Sequence, residues 1–315
     1  MTLGSELRPR AARRPGAGWA PRLRGARRTA FPLALVAPAA VFLLALLLYP
    51  LISVVQLSFQ ESNLLHLETN RWVGLENYVN QVSTDLFWVA LRNTLVWTFG
   101  SVIGEYGLGL TSALVLNERL RFRPALRGVV VIPWIVPIVI ASMTWRWILN
   151  PQYGIANVAL VQLGLLKAPF YWLGQPETAL YTTVFVNVWR SFPLYTLALL
   201  AGLQAIPREE SEAASIDGAG RLQRWWYVTM PHLRSVTLVI VVLHIIWTFN
   251  NFDFVWLLTE GGPLHASELL SILVYKSAFK FYELGSAAAL SVIMIAILSA
   301  MIAVYLRLLR AFESD

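Results

Sequence analysis

The chain has 315 residues, of which 57% are apolar and only 14% are charged, and its mean hydropathy is +0.58. Soluble domains are about half apolar and about a quarter charged, so this composition excludes an ordinary soluble protein and favours a membrane protein. The lack of cysteine excludes a disulfide scaffold, a thiolate zinc site and a cysteine nucleophile. The net charge of +7 would suit a nucleic-acid binder, but that class does not explain the apolar excess.

The N-terminal region divides into a basic stretch and a long apolar run. Residues 1–28 hold eight of the 25 basic residues, which indicates a disordered tail on the anionic inner leaflet of a membrane. Residues 29–60 carry no charge and can cross about 30 Å of hydrocarbon with some tilt. This run is too long for the apolar core of a signal peptide. We therefore predict a cytoplasmic tail at 1–28 and a membrane domain at 29–315.

Six apolar stretches predict an all-α membrane protein with six transmembrane helices. Their ranges are 31–58, 88–117, 126–149, 178–203, 235–257 and 284–308. With the N-terminus inside, 18 of the 25 basic residues lie on the cytoplasmic side, as the positive-inside rule requires. Both termini are therefore predicted to be cytoplasmic.

The motifs of common enzyme classes are missing from the sequence. None of the three lysines follows a glycine, so there is no Walker A loop for ATP. No two of the four histidines are four residues apart, which excludes a HExxH zinc helix, and there is no G-x-S-x-G elbow. We therefore predict a protein that is not an enzyme and holds no catalytic residue and no metal.

The longest predicted cytoplasmic connection, residues 204–234, has the pattern of two short helices. Pro207 suits a first helical position, and three glutamates follow it in the first turns. Gly218 can end this helix in a left-handed conformation. Residues 221–230 can form the second helix, with Pro231 separating it from span five. A solvated loop is the alternative, but alanines and tryptophans beside carboxylates suit docking to another protein.

The same loop carries a specific motif. Glu212-Ala213-Ala214, Asp217-Gly218-Ala219 and a proline after a twelve-residue gap resemble the EAA loop of ABC importer permeases. This resemblance implies the type I ABC importer permease fold and a loop that inserts into a cleft of the ATPase subunit. It also implies that Glu212 forms an ion pair there and that Gly218 permits the turn. The implied ATPase-coupling residues are Glu212, Ala213, Ala214, Asp217, Gly218 and Ala219.

Longer strings are similar to sugar permeases of the maltose-transporter type. They lie at 74–78, 133–137, 201–207, 250–252 and 258–263. The resemblance implies a permease subunit of an ATP-driven importer for a di- or oligosaccharide or a sugar derivative, in a bacterial or archaeal cytoplasmic membrane. Its implied partners are a second homologous permease, two ABC ATPase chains, an extracytoplasmic sugar-binding protein and membrane lipid. ATP and Mg would lie on the ATPase, so no cofactor is expected on this chain.

Polar groups inside the spans mark the candidate substrate path, because such groups are costly in a membrane. Four residues of span four share one helical face, and His244, Thr248 and Asn251 of span five share another. Matching the sugar-contacting positions of the maltose permease implies eight substrate-binding residues: Trp134, Ile138, Asn187, Arg190, Ser191, Leu194, His244 and Thr248. Four of them, Ile138, Arg190, Leu194 and His244, differ in type from the residues that bind maltose. The resemblance therefore does not imply maltose bound in the same pose.

Several alternatives stay open at this point. Arg190 can pair with Glu105 in span two instead of binding substrate. The partner permease can hold the substrate site. A stand-alone secondary transporter or channel would explain the spans, but it predicts inverted repeats that the sequence does not show. An ABC permease for a non-sugar solute, such as a sugar phosphate, would give Arg190 an anion to bind.

Overall fold

A computed structural model of the chain describes residues 22–118 and 120–311. Most of the tail predicted at residues 1–28 lies outside this description, although helix α1 (Arg22–Ser58) begins within that range. The chain divides into two compact units that meet in sequence between Ser53 and Val54.

The described residues are mostly helical, as predicted. Five helical segments are long and apolar enough to cross a membrane: α1, α3 (Asp85–Asn117), α7 (Ala179–Ala205), the continuous helix Arg221–Phe249 and α13 (Leu284–Ala311). Helices α4 (Arg123–Ile135) and α5 (Ile138–Ile148) supply a sixth crossing if they are one bent span. The shorter helices are α2 (Glu76–Val82), α6 (Ile155–Gln162), α8 (Arg208–Ile216), α11 (Asp253–Thr259) and α12 (Leu270–Phe279).

The third predicted span, 126–149, is not continuous. Helices α4 and α5 meet at an angle of 94°, and between them Val136 is extended with ψ 127°. Pro137 follows directly, and a proline disfavours the helical conformation of the residue before it and cannot donate a backbone hydrogen bond. The range predicted for the third span is therefore divided between two helices.

The prediction that Pro231 separates the coupling loop from span five is wrong. Helix α9 (Arg221–Arg224), a π-helical turn (Trp225–Thr229) and α10 (Met230–Phe249) form one continuous helix. The backbone N–H of Met230 donates to the carbonyl of Trp225, five residues earlier, and Pro231 lies in the first turn of α10. The wider π turn shifts the register of the backbone hydrogen bonds. Proline, which has no backbone N–H, is therefore tolerated in the first turn of α10.

Span five also ends earlier than predicted, at Phe249 instead of residue 257. The side-chain amide of Asn250 donates to the carbonyl of Ile246, and Asn251 accepts from the backbone N–H of Phe254. Asparagine side chains that bond nearby backbone groups compete with helix continuation. Asp253 therefore begins the separate helix α11 instead of lying inside span five.

A short hairpin interrupts the helical pattern after α1. Strand β1 (Gln60–Asn63) pairs antiparallel with β2 (His66–Trp72), and Glu61 lies opposite Arg71. The guanidinium and carboxylate of this pair are 2.8 Å apart, a cross-strand contact that supports the register. Sequence analysis predicted no strand in this polar segment.

Helices α3 and α7 approach closely because α3 presents glycines to its neighbour. A Cβ atom on Gly100, Gly104 or Gly109 would meet Val184, Val188 or Tyr195 of α7, respectively. Small residues spaced along a membrane helix allow such close backbone approach. The apolar core lies around this pair in three clusters, which contain Trp97 and Phe254, Leu199 and Leu233, and Phe249 and Leu290.

We predict that Gly109→Ala destabilises the protein. The added methyl group would clash with Cβ of Tyr195 and crowd the backbone of Phe192 and Thr196, so the helices must separate. We expect a loss of about 1–3 kcal/mol, typical of overpacking, seen as a lower thermal unfolding temperature in detergent. Gly107→Ala is the matched control, because no atom lies within 4 Å of its added methyl group. Equal unfolding temperatures for the two variants would contradict the close-packing argument.

Candidate functional site

A buried carboxylate connects three of the long helices. Glu105 lies in α3 and is fully buried. One of its oxygens accepts a hydrogen bond of 3.0 Å from the side-chain amide of Asn187 in α7. Nδ1 of His244 in α10 lies 2.8 Å from the other oxygen. The two partners satisfy both oxygens of a group that would otherwise be very costly at this depth.

The surroundings of Glu105 contain further polar atoms. Asn187 and His244 are only 6% and 5% exposed. The ring of Tyr195 lies 4.4 Å from the ring of His244, centroid to centroid. The Tyr195 hydroxyl and Nε2 of His244 are buried and make no hydrogen bond to any described residue. Buried polar atoms normally have a partner, so these two atoms can serve a polar ligand or a water molecule.

Three of the predicted substrate residues therefore fall on two helices that converge on α3. Asn187 and His244 share Glu105, and Thr248 lies one turn beyond His244 on the same helix. The carbonyl of Thr248 accepts a hydrogen bond of 3.0 Å from the indole of the buried Trp97 in α3. The polar faces predicted for spans four and five thus meet at the polar side of α3.

Arg190 and Ser191 lie about one turn from Asn187 in α7 and are half-buried. Among the ion pairs between described residues, none within 4 Å joins Arg190 to Glu105, whose partners are Asn187 and His244. Nε of Arg190 is buried and makes no hydrogen bond in the described part of the chain. The direct Arg190–Glu105 pair, considered as the alternative to substrate binding, is therefore not formed.

The remaining predicted substrate residues lie in other surroundings. Ile138, at the start of α5, packs on the apolar cluster that contains Trp97 and Phe254. Leu194 packs on a different cluster, which contains Leu199 and Leu233. Trp134 lies in α4 with 44% of its surface exposed. These three side chains do not share one apolar cluster, because the break between α4 and α5 and the packing of α7 separate them.

The EAA-like loop has the local geometry that its sequence predicts. Pro207 occupies the N-cap position, so α8 begins at Arg208, one residue later than predicted, and Glu209 and Glu210 lie in its first turn. Gly218 has φ +82°, a left-handed conformation that glycine adopts without strain. The N–H of Ala219 donates to the carbonyl of Ala214, and Asp217 donates to Ala213, which closes the helix end. The predicted first helix and its glycine stop are confirmed.

Around this helix end lies an exposed apolar surface. Ile216 is 86% exposed and Tyr227 is 81% exposed, with Trp226 and Glu212 also exposed. We call these four residues the coupling surface. The carboxylate of Glu210 lies 3.3 Å from Nε2 of His232, which links α8 to α10. Large apolar side chains that are exposed on two neighbouring elements are candidates for a protein interface.

Sequence analysis missed a second buried carboxylate, Glu268. Its Oε2 lies 2.6 Å from Nζ of Lys276 and 3.1 Å from Nδ1 of His265. The preceding segment turns at Glu260 and Gly261, which both have positive φ. The ion pair joins Glu268, two residues before α12, to Lys276 in the last turn of that helix, and no periodic pattern indicates it. Tyr195 was also missed, although it adjoins the predicted Leu194.

We predict that Glu105→Ala strongly destabilises the protein. The change leaves the Asn187 amide and His244 buried without their acceptor, at a cost of about 1–3 kcal/mol for each group. Thermal unfolding in detergent measures the loss, and Glu105→Gln should lose less because its carbonyl oxygen can still accept. Glu177→Ala, which removes an exposed carboxylate before α7, is the control. Equal stability of Glu105→Ala and this control would contradict the role given to Glu105.

Known proteins resemble this chain over most of its length. Residues 105–315 match the family described as binding-protein-dependent transport system inner membrane component. The trehalose/maltose transport system permease protein MalF of Thermococcus litoralis is 41% identical over 247 residues, which cover 78% of this chain and 81% of the relative. The sulfoquinovosyl glycerol transport system permease protein SmoG of Agrobacterium fabrum is 32% identical over 276 residues, or 88% of this chain and 89% of the relative.

A solved structure has the same fold. It is that of a bacterial ABC transporter involved in the import of the acidic polysaccharide alginate. The match has a TM-score of 0.79 at 22% identity and covers 91% of this chain and 98% of the other. The predicted type I importer permease fold is thereby confirmed. The chain belongs to the binding-protein-dependent transport system inner membrane components, which are the permease subunits of ABC importers in the cytoplasmic membrane.

Proposed function

We propose that this permease is half of the membrane pathway of an ATP-driven sugar importer. Its solute is a di- or oligosaccharide or a sugar derivative. The observation that carries the proposal is the coupling surface, a set of exposed side chains before and after a glycine-closed helix end in a chain of this family. The names of the relatives, which refer to trehalose/maltose and sulfoquinovosyl glycerol, support a sugar as solute. The family match favours this reading over a stand-alone secondary transporter or channel.

The proposed partner at the coupling surface is the ATPase subunit. The carboxylate of Glu212 lies one turn before Ile216 on α8, which has no buried residue, and Trp226 and Tyr227 are exposed in the π-helical turn. Such a patch suits insertion into a groove, where the apolar side chains lose water and the carboxylate forms an ion pair. ATP and Mg would be bound by that partner, because this sequence has no Walker A loop.

The assembly would contain this chain, a second homologous permease, two ATPase chains and an extracytoplasmic sugar-binding protein. The family name itself refers to dependence on a binding protein. The excess of basic residues at one side of the spans supports cytoplasmic termini and a basic tail at 1–28 on the inner leaflet. Closure of the ATPases would push α8, and the spans would rock between inward-open and outward-open arrangements.

The proposed sugar path follows the polar faces of α7 and α10. The amide of Asn187, the imidazole of His244 and the hydroxyls of Ser191 and Thr248 match the hydrogen-bonding capacity of sugar hydroxyls. The half-exposed indole of Trp134 offers a face on which a sugar ring can stack. Ile138, Arg190 and Leu194 complete the proposed set. Binding at this site would compete with the bonds that Asn187 and His244 make to Glu105.

One observation favours an anionic sugar derivative, such as a sugar phosphate, as a second candidate solute. Arg190 belongs to α7, and its Nε atom is buried without a hydrogen-bond partner among described residues. A guanidinium group binds phosphate or carboxylate oxygens in two-point contacts. Competition of a sugar phosphate with a neutral sugar in the same uptake assay distinguishes the two solutes.

We predict that Glu212→Ala uncouples sugar uptake from ATP hydrolysis or loosens the ATPase. Loss of an interfacial ion pair worth about 1.4 kcal/mol or more lowers coupled uptake by about tenfold or more. Uptake in vesicles, ATPase activity and co-purification of the ATPase are measured together, with membrane level as the insertion control. Glu209→Ala is the matched variant, since it removes an exposed carboxylate from the first turn of the same helix. Normal uptake by Glu212→Ala would count against the coupling role.

We predict that Trp134→Ala weakens sugar uptake without unfolding the chain. Loss of an aromatic stacking face costs about 0.5–1.5 kcal/mol, which raises KM for uptake by about 2- to 10-fold. Thermal unfolding should change little, because the side chain is half-exposed. Trp147→Ala, an exposed indole of α5, is the control. Unchanged KM would remove Trp134 from the proposed path and move the stacking contact to the partner permease.

A further inference from the structure

A polar cavity lies beside α8, which we call the coupling helix, at the ends of several spans. Its volume is about 790 Å³, within the range of small-molecule sites. It is bounded by the end of α3, the start of α4, the end of α7, the first turn of α8 and the π-helical turn. The polar residues in its wall include Glu118, Arg123, Arg127, Gln204, Arg208 and Ser211. The described substrate residues do not line it.

Two cationic side chains converge on one neutral group in this cavity. When the Gln204 amide is oriented with its oxygen toward them, that oxygen lies 2.6 Å from Nη2 of Arg123 and 2.6 Å from Nη2 of Arg127. Nε of both arginines is buried and makes no hydrogen bond to a described residue. An amide oxygen accepts hydrogen bonds but carries no charge that offsets two guanidinium ions.

The described residues supply little counter-charge. Glu118 is the acidic residue in the cavity wall, and no ion pair within 4 Å joins a carboxylate of the described chain to Arg123, Arg127 or Arg208. Like charges held close together repel, and the repulsion is stronger where water is partly excluded. An anion in the cavity would offset this repulsion and provide acceptors for the unused N–H groups.

We propose that the cavity binds the phosphate group of an anionic ligand. Three guanidinium groups suit a phosphate, whose oxygens accept several charge-assisted hydrogen bonds at once. The cavity lies at span ends, where either a lipid headgroup or a soluble phosphate compound can reach it. Because its wall joins α4 and α7 to α8, a bound phosphate would hold the coupling helix against the spans. This phosphate site is separate from the proposed sugar path, and ligand binding to it can be measured without a transport assay.

The first test measures bound anionic lipid. The tagged chain is purified in mild detergent with the subunits that accompany it, and native mass spectrometry counts retained phosphatidylglycerol against phosphatidylcholine. We expect the double variant Arg123→Gln/Arg127→Gln to retain about tenfold less phosphatidylglycerol than the parent protein. Arg121→Gln is the control, because Arg121 is exposed in the turn before α4 and does not line the cavity. Equal loss in the control and the double variant would show a diffuse charge effect and overturn the proposal.

A second variant keeps the test valid if the double variant does not fold. Gln204→Glu places a carboxylate of the same size between the two arginines. It should pair with both, raise the thermal unfolding temperature in phosphate-free buffer and abolish phosphate binding. If Gln204→Glu binds phosphatidylglycerol and inorganic phosphate as the parent does, the assigned site is wrong.

A third arm identifies the source of the phosphate. The protein is placed in nanodiscs of pure phosphatidylcholine or of phosphatidylcholine with phosphatidylglycerol, and inorganic phosphate is titrated at constant ionic strength. Stabilisation by phosphatidylglycerol that inorganic phosphate does not displace assigns the site to a lipid headgroup. Stabilisation by inorganic phosphate in pure phosphatidylcholine, with no gain from phosphatidylglycerol, assigns it to a soluble ligand. Neither effect in the parent protein would overturn the proposal, whether or not the complex transports sugar.

Discussion

The packing of the spans depends on how the chain accommodates the Glu105 carboxylate. In hydrocarbon no water can satisfy a polar group, so Glu105 must find its hydrogen bonds within the protein. Asn187 and His244 provide them from two other helices. The arrangement requires α3 to lie close to α7, and Gly104, directly before Glu105, allows that approach by leaving room for Val188. The close packing at Gly104 and the hydrogen bonds of Glu105 therefore require the same alignment of α3 along α7.

This register has a consequence for a permease that must alternate between two arrangements. If α3, α7 and α10 move as one body, Glu105 keeps both partners through the cycle. If α10 moves relative to the other two, the bond between His244 and Glu105 breaks, and two polar groups, Nδ1 of His244 and one oxygen of Glu105, need new partners. A solute with several hydroxyls can supply them, which would make solute binding and helix movement favour each other. The Tyr195 hydroxyl, buried beside His244 without a hydrogen-bond partner among the described residues, adds a third group to that exchange.

Sequence patterns were sufficient where local chemistry decides structure and insufficient where distant packing does. The coupling helix and the stop at Gly218 follow from capping and glycine preferences within a few residues. Hydropathy located the spans, and the cost of polar groups marked Asn187 and His244. The partner of Glu105 could not be predicted from sequence. Arg190 has the opposite charge, but the packing of the helices places His244 next to the carboxylate. Proline did not act uniformly either: Pro137 follows a sharp bend, whereas Pro231 sits in a continuous helix after a π turn.

The arginines near α8 are of two kinds: some only set the orientation of the spans in the membrane, and others line the cavity. The positive-inside rule explains why this end of the spans is rich in arginine, and an exposed residue such as Arg121 satisfies that rule fully. It does not explain why Arg123 and Arg127 are half-buried, with buried Nε atoms, and meet at a single amide oxygen. Mutual repulsion opposes that geometry unless an anion accompanies it, so the half-buried pair calls for a ligand where the exposed arginine needs none. Because the same cavity wall includes the first turn of α8, charge in the cavity and the position of the coupling helix are physically linked.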